Sequence, residues 1–203
     1  MMHSKVLARF KEDIQSHEIK ILRDDGVYRH IRFGTGSSIY ALNVTTFPGH
    51  LVVTGDMGDY VFNRLNDMFE FFRGNDINAS YWGEKLVAEP WGSKFGKHWS
   101  EEAFKQAIKE YLANNLDDLA DLDEEDSKKQ KEVIAKIDSE IENISCEEEA
   151  YEWIRDFECN DFQFDAFYEY DCTEYTHHYL WVCYAIIEVI KRYDETKSKQ
   201  QAA

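Results

Sequence analysis

The sequence lacks the features that define several large classes of protein. Its four cysteines, Cys146, Cys159, Cys172 and Cys183, include no C-x-x-C pair, so no zinc knuckle or ribbon is predicted and reduced structural thiols are expected. The longest apolar run, residues 179–187, has nine residues, whereas a membrane-spanning helix needs about 20. No N-terminal stretch has the basic and apolar regions of a signal peptide. We therefore expect a cytoplasmic protein with no membrane partner.

The sequence also lacks a phosphate-binding motif. The loop at residues 34–38 has neither the lysine followed by serine or threonine of a Walker loop nor the three spaced glycines of a dinucleotide-binding turn. Only two prolines occur, Pro48 and Pro90, which favours a compact fold with few rigid linkers. No cofactor is predicted.

Basic residues are too few to balance the acidic ones, and the deficit lies in one part of the chain. The sequence has 40 acidic and 23 basic residues, for a formal net charge of −17. Residues 101–176 hold 25 of the acidic and 7 of the basic residues, so the remainder has 15 acidic and 16 basic residues. The negative electrostatic field of so many acidic residues repels nucleic acid and anionic membranes and attracts basic partners. Direct nucleic-acid binding is therefore not expected, and a basic protein or nucleoprotein complex is the predicted partner.

What the sequence does contain is a series of short alternating segments near its N-terminus. After an amphipathic helix at residues 5–15, apolar and polar residues alternate in four segments separated by close turns, at residues 18–23, 27–33, 39–46 and 50–54. Close-set hairpins indicate an antiparallel meander rather than βαβ winding. The predicted fold class is α+β, with an N-terminal antiparallel sheet of about four strands packed against a mainly helical C-terminal portion.

Helices are predicted directly after the fourth strand. The turn at residues 55–59 leads into a helix that is capped by Asp59 and ends at Phe72, and a further helix covers residues 78–88. Residues 90–99, PWGSKFGKHW, are expected to form a loop with buried aromatic side chains. Basic residues among aromatics also occur in sites for single-stranded nucleic acid, which is the alternative interpretation of this loop.

Amphipathic helices are predicted over much of the remaining chain. One begins at Ser100, a second covers residues 128–141, and Ser145 with Glu148 predicts the capping box of a third. Residues 160–172 alternate as a strand does, with an aromatic-rich loop as the alternative.

The last predicted helix, residues 174–193, is apolar on nearly every side from residue 179 to 187, as buried core helices are. The predicted division of the chain is 1–99 for the sheet with its short helices and 100–203 for an acidic helical portion packed on it. One continuous domain is the alternative.

Twelve acidic residues of the helical portion form the predicted partner-binding surface. Carboxylates three or four residues apart on a helix recur about every 4.5–6 Å, and two neighbouring stripes approximate the row of charges on DNA phosphates. Such a surface would occupy a basic groove, whereas the simpler interpretation is a solvated helix face. The predicted residues are Asp117, Asp118, Asp121, Asp123, Glu124, Glu125, Asp126, Glu147, Glu148, Glu149, Glu152 and Asp156.

Two other groups of residues have side chains that bind metals in proteins. Asp56 and Asp59 lie on a glycine-containing turn, but the turn lacks the further acids of a calcium loop, which favours a turn and helix cap. His177 and His178 are adjacent, and adjacent helical side chains point about 100° apart, so the two rings do not readily chelate one metal. No metal site and no catalytic residue is predicted.

Three segments resemble a family of small acidic proteins from tailed-phage and prophage genomes. They are VVTGDMGDYVFNRLNDMFEFFR at residues 52–73, INASYWGEKL at residues 77–86 and YLWVCYAIIEVIKRYD at residues 179–194. The resemblance implies a phage gene product that acts in a bacterial cytoplasm, and it assigns no catalytic residue. Small acidic phage proteins without enzyme motifs are often inhibitors of host machinery, including restriction and CRISPR systems.

The leading functional hypothesis is therefore a non-enzymatic inhibitor. This inhibitor, of the anti-CRISPR or anti-restriction type, would bind a basic host protein or a nucleoprotein defence complex through a DNA-mimicking surface. One alternative is a metal-dependent hydrolase or nuclease-like enzyme that uses the turn at residues 55–59 together with His50. Another is a structural protein that forms a homodimer or larger homo-oligomer through exposed aromatic side chains.

Overall fold

The computed structural model describes residues 2–117 and 121–201, and its chain divides into two compact units. Unit 1 comprises Met1–His98 together with Tyr175–Ala203, and unit 2 comprises Trp99–Glu174. The division falls between His98 and Trp99, next to the boundary expected from the sequence, and the residues from 175 onward group with unit 1. They return to unit 1 because their helix is packed into its core.

Unit 1 is built on a six-stranded antiparallel sheet whose strands follow one another in chain order. The α+β class and the N-terminal antiparallel meander are confirmed, whereas the prediction of about four strands is wrong. The strands are β1 (Glu18–Asp25), β2 (Tyr28–Gly34), β3 (Leu42–Phe47), β4 (His50–Gly55), β5 (Tyr60–Asn63) and β6 (Leu86–Ala88). The helices of unit 1 are α1 (Met2–Asp13), α2 (Met68–Phe72), α3 (Ala79–Gly83) and α7 (His177–Gln201).

The two additional strands occupy segments that were predicted to be helical. Asp59 does not cap a helix, because the next residues form β5, in which Tyr60 and Phe62 alternate toward the core and pair with β4. The helix begins only at Met68, where the Asp67 carboxylate accepts a hydrogen bond from the Phe69 amide at 2.9 Å. The predicted helix at 78–88 is likewise reduced to α3, and its second half forms the edge strand β6.

One face of the sheet and the long helix α7 form the core of unit 1. Alternate strand residues such as Phe33, Val44 and Val53 are fully buried on that face. From α7, Trp181 packs edge-on against Phe10 of α1, with ring centroids 5.1 Å apart. The prediction that this last helix is buried in a core is therefore correct, because ten of its side chains are buried.

Unit 2 is helical and has a separate core. Its helices are α4 (Glu101–Asn115), α5 (Glu124–Ile141) and α6 (Glu147–Asp156). After α6 the chain forms an aromatic-rich loop with a 3-10 turn at Phe167–Glu169 rather than the strand that was one interpretation of residues 160–172. Two short strands, β7 (Lys97–Trp99) and β8 (Thr173–Tyr175), pair with each other where the chain passes from one unit to the other and back.

Side chains at helical spacing fill the core of unit 2. Phe104 and Tyr111 from α4, Ile137 from α5 and Ala150 from α6 are buried, and Phe167 closes the cluster from the loop. Among the residues that the structure describes, no helix is both long and apolar enough to cross a bilayer.

Candidate partner-binding surface

The negative charge of the chain belongs to one structural unit. Unit 2 contains 25 acidic and 7 basic residues, and unit 1 contains 15 acidic and 16 basic residues. The charge imbalance seen in the sequence thus follows the division of the structure. Every described carboxylate of the predicted surface lies in unit 2 and is exposed.

Four of the predicted residues form the start of α5. Asp123 is the N-cap, since its Oδ1 accepts a hydrogen bond from the Asp126 amide at 2.9 Å. Carboxylates in this first turn are favoured by the free amides and by the positive end of the helix dipole. Lys129 partly neutralises them, with its Nζ 2.8 Å from Glu125 Oε1 and 3.7 Å from Asp126 Oδ1. Glu124 makes no ion pair with any described residue.

The start of α6 differs by one residue from its predicted capping box. The N-cap is Cys146, which makes no side-chain cap hydrogen bond, and Glu149 rather than Glu148 reaches back. Glu149 Oε2 accepts hydrogen bonds from the Ser145 amide at 3.0 Å and from Ser145 Oγ at 3.1 Å. These donors hold the pKa of the Glu149 carboxyl below its usual range. Glu149 is therefore a structural residue as well as a surface charge.

A groove of about 390 Å³ lies within unit 2 along α6 and the C-terminal half of α5. Five carboxylates and one lysine line it, beside the rings of Trp153 and Phe157. We call this the acidic groove, and its carboxylates are Glu140, Glu149, Glu152, Asp156 and Glu158.

Two of these groove carboxylates were absent from the predicted surface. Trp153 Nε1 of α6 donates a hydrogen bond to Glu140 Oε2 of α5 at 2.8 Å, and this contact joins the two helices. Glu158 follows the end of α6, and its carbonyl accepts a hydrogen bond from Lys136 Nζ at 2.9 Å. The sequence carried one signal for Glu140, because it lies one position before buried Ile141 and so at the edge of the apolar stripe.

The structure brings together only part of the predicted surface. Glu149, Glu152 and Asp156 share the acidic groove, with Glu147 and Glu148 on the first turn of the same helix. The carboxylates at the start of α5 are distant from Glu140, since Glu124 and Glu140 are separated by about 24 Å of helix. The predicted surface is thus two acidic patches on unit 2. Asp117 and Asp121 lie on the connection before α5, and Asp118 lies outside the described residues.

Local cations leave part of the groove charge uncompensated. Arg155 pairs with Asp156, at 2.7 Å from Nε to Oδ1, and lowers the pKa of that carboxyl. Lys136 lies 4.0 Å from Glu140. Glu152 and Glu158, which line the groove, have no ion pair within residues 2–117 and 121–201. A cationic side chain entering the groove would therefore meet carboxylates that have no lysine or arginine partner.

The two carboxylates of the turn at residues 55–59 accept hydrogen bonds from backbone amides. Asp56 Oδ2 accepts a hydrogen bond from the Tyr40 amide at 2.8 Å, and Asp59 Oδ1 accepts one from the Gly55 amide at 3.3 Å. His50 lies at the opposite end of β4, where it contacts Asn63. In the described part of the chain, no group of three or more His, Cys, Asp or Glu side chains is arranged to hold a metal ion.

The prediction of buried aromatics in residues 90–99 is wrong for two rings. Trp91 is fully exposed and Phe95 is 48% exposed. The loop is nevertheless well supported, because the Glu89 carboxylate accepts hydrogen bonds from the amides of Phe95 and Gly96, both at 2.8 Å. Burial was expected from the hydrophobicity of the side chains alone.

Comparison with protein-family models, with curated proteins and with solved structures found no significant match for this chain.

Proposed function

We propose that the protein is a non-enzymatic inhibitor that binds a basic host protein or nucleoprotein complex through the acidic face of unit 2. The observation that carries the proposal is the segregation of charge, because unit 2 alone combines 25 acidic residues with a carboxylate-lined groove. The negative field of such a surface speeds the association of a basic partner and favours one orientation of that partner.

The arrangement on α6 supports a surface that competes with DNA. Glu148, Glu152 and Asp156 recur every four residues, which places successive carboxylates about 6 Å apart along the axis. A protein groove that binds phosphates presents lysine and arginine side chains, and these are also the natural partners of exposed carboxylates. We therefore propose a partner that handles nucleic acid, of the CRISPR or restriction type, in a bacterial cytoplasm. The phage origin in this proposal rests on the resemblance of the three segments described above.

Removal of three exposed charges from α6, one of them in the acidic groove, is expected to weaken partner binding about 10-fold, since exposed ion pairs each contribute about 0.2–1 kcal/mol. The variant is Glu147→Gln with Glu148→Gln and Glu152→Gln, which leaves Glu149 and its contacts to Ser145 intact. The assay measures DNA binding and DNA cleavage by purified CRISPR effector complexes and restriction enzymes in the presence of the protein. Inhibition should weaken as salt rises, because salt screens exposed charges.

The matched control removes the same charge from unit 1 through Glu12→Gln, Asp76→Asn and Glu195→Gln, three exposed positions that make no ion pair with another described residue. This control should inhibit as well as the unaltered protein. Equal loss in both variants would mean that only net charge matters. Absence of inhibition by the unaltered protein at micromolar concentration across the panel would reject the proposed class of partner.

A further inference from the structure

The face of the six-stranded sheet that points away from the core carries the opposite charge to unit 2. Along β2, Ile31 and Phe33 are fully buried, while the alternate residues His30 and Arg32 are partly exposed. The same alternation of buried and partly exposed residues continues through β3, where Asn43 and Thr45 are partly exposed, and through β4, where Val52 is. This second face, which we call the outer face, is accessible to a ligand.

Strand register places the cationic side chains of the outer face in two adjacent rows. Lys20 pairs with Arg32, and the row continues through Asn43 to Thr54. Neighbours in such a row are about 5 Å apart. The next row lies two residues along β2, β3 and β4 and three residues along β1, where the register shifts between Ile21 and Arg23. That second row contains Arg23, His30, Thr45, Val52 and Val61.

Exposed aromatic rings adjoin these rows. Tyr28 is 43% exposed, and the Arg23 guanidinium lies 5.3 Å from the centre of its ring. Phe47 is 38% exposed and is stacked on His50, with ring centroids 4.7 Å apart and an interplanar angle of 19°. Flat rings beside cations are the two components of surfaces on which nucleic-acid bases stack while phosphates are neutralised.

Acidic residues are absent from the middle of this sheet. The strands β2, β3, β4 and β5 contain no aspartate and no glutamate. The neighbouring strand β1 has Glu18 at its start and Asp24 and Asp25 at its end. Asp25 pairs with Arg23 at 3.3 Å, and Asp24 accepts hydrogen bonds from Tyr193 and Lys197. Three cationic side chains, Lys20, Arg23 and Arg32, thus outnumber the carboxylates on the outer face, although the whole chain is strongly negative.

We propose that the outer face of unit 1 binds single-stranded nucleic acid, with phosphates at Lys20, Arg23 and Arg32 and bases stacked on Tyr28 and Phe47. An acidic protein would match the charge but would leave the exposed rings without a role, and a duplex keeps its base faces stacked inside. Direct nucleic-acid binding was not expected from the charge of the whole chain. Unit 1 taken alone is nearly neutral, and this inference is independent of the function proposed for unit 2.

The proposal is tested with fluorescein-labelled oligo-dT and oligo-U of about 12 nucleotides, with anisotropy read at several salt concentrations. The first variant is Lys20→Gln with Arg32→Gln. It should weaken binding at least about 10-fold and reduce the slope of log affinity against log salt by about 1.4, since each lost phosphate contact contributes about 0.7 on a single strand.

A second variant separates stacking from charge. Tyr28→Ala should weaken binding about 5- to 150-fold with little change in the salt slope, because a base loses its stacking partner while the phosphate contacts remain. Tyr28→Phe keeps the ring and should restore binding, which also shows that the loss is not caused by misfolding.

The control for charge is Lys11→Gln with Lys191→Gln, two exposed lysines on α1 and α7 that should leave binding unchanged. No binding of either oligonucleotide by the unaltered protein at low salt would overturn the proposal, and so would equal weakening by the control. Self-association that depends on Lys20 and Arg32 would also overturn it, by showing that a second copy covers the face. The unit 2 glutamine variant should bind oligonucleotides undiminished, so failure here leaves the inhibitor proposal standing.

Discussion

Replacement of Asp67 by alanine should lower the free energy of unfolding by about 3–5 kcal/mol, because it leaves the buried Arg29 guanidinium without its counter-charge. The Arg29 side chain is 9% exposed and donates from Nη1 and Nη2 to the two Asp67 carboxylate oxygens, both at 2.8 Å. The guanidinium also lies 4.5 Å from the centre of the Phe69 ring. This pair thus joins β2 to α2, and the substitution also removes the N-cap of that helix.

The matched control is Asp194→Ala, which removes the partner of Arg73. That pair has a comparable distance of 2.9 Å, but its side chains are 46% and 40% exposed. Its loss should change the free energy of unfolding by less than about 1 kcal/mol. Urea unfolding followed by circular dichroism measures both variants. If both substitutions lower the free energy of unfolding equally, the burial of Arg29 does not make its ion pair more important for stability than an exposed one.

The same pair has a pH signature. Burial raises the pKa of the Asp67 carboxyl, but the hydrogen bonds from Arg29 and from the Phe69 amide outweigh it, so the pKa in the folded protein lies below its ordinary value. A depressed pKa stabilises the fold above the pKa of the unfolded chain, near 4. That contribution is lost as the pH falls through the folded-state pKa. Unfolding experiments should therefore show that Asp67→Asn reduces the loss of stability on acidification below about pH 4.

The sequence predicted the sheet wherever pairing was local. Strands β1 to β4 are joined by close turns, and their alternation of apolar and polar residues was sufficient to predict them as strands. Strand β5 was missed because Phe62, Leu65, Phe69 and Phe72 also follow helical spacing, so both periods were present. Pairing of Tyr60 with Val53 decided between them, and that contact depends on the turn at residues 55–59.

The turn at residues 55–59 requires a glycine at its first position. Gly55 has a φ of +156°, and a Cβ at this position would lie 2.3 Å from the carbonyl oxygen of Ala41. Only glycine fits so close an approach of two backbones. The sequence indicated a joint between sheet and helix at this turn, whereas the structure uses it to join β4 to β5.

The candidate surface was predictable in its exposure but not in its grouping. Acidic residues in the first turns of α5 and α6 are favoured by the helix dipole and were expected on the outside. The acidic groove, however, depends on the packing of α6 against α5, and a contact such as that between Trp153 and Glu140 joins residues on different helices. Helical periodicity shows which side of a helix is apolar, but it does not show which two helices will meet.

Replacement of Phe104 by alanine should destabilise unit 2 by about 3–5 kcal/mol, as expected for a large buried ring that leaves a cavity. Phe104 is 1% exposed, and its ring centroid lies 6.1 Å from those of Trp99 and Phe167 and 6.2 Å from that of Trp153. Hydrogen exchange read by mass spectrometry should accelerate in peptides from α4, α5 and α6. The matched control is Tyr168→Ala, which removes a ring that is 84% exposed and should change exchange little.

Phe104→Ala also tests whether the core of unit 2 positions the carboxylates on its surface. Trp153 packs edge-on against Phe104 and lines the acidic groove, where its indole holds Glu140 in place. If fixed positions of the carboxylates matter for the proposed inhibition, Phe104→Ala should weaken inhibition although no charge has been removed. If inhibition persists while exchange in α5 and α6 has accelerated, net charge rather than geometry attracts the partner, and the comparison with DNA phosphates fails.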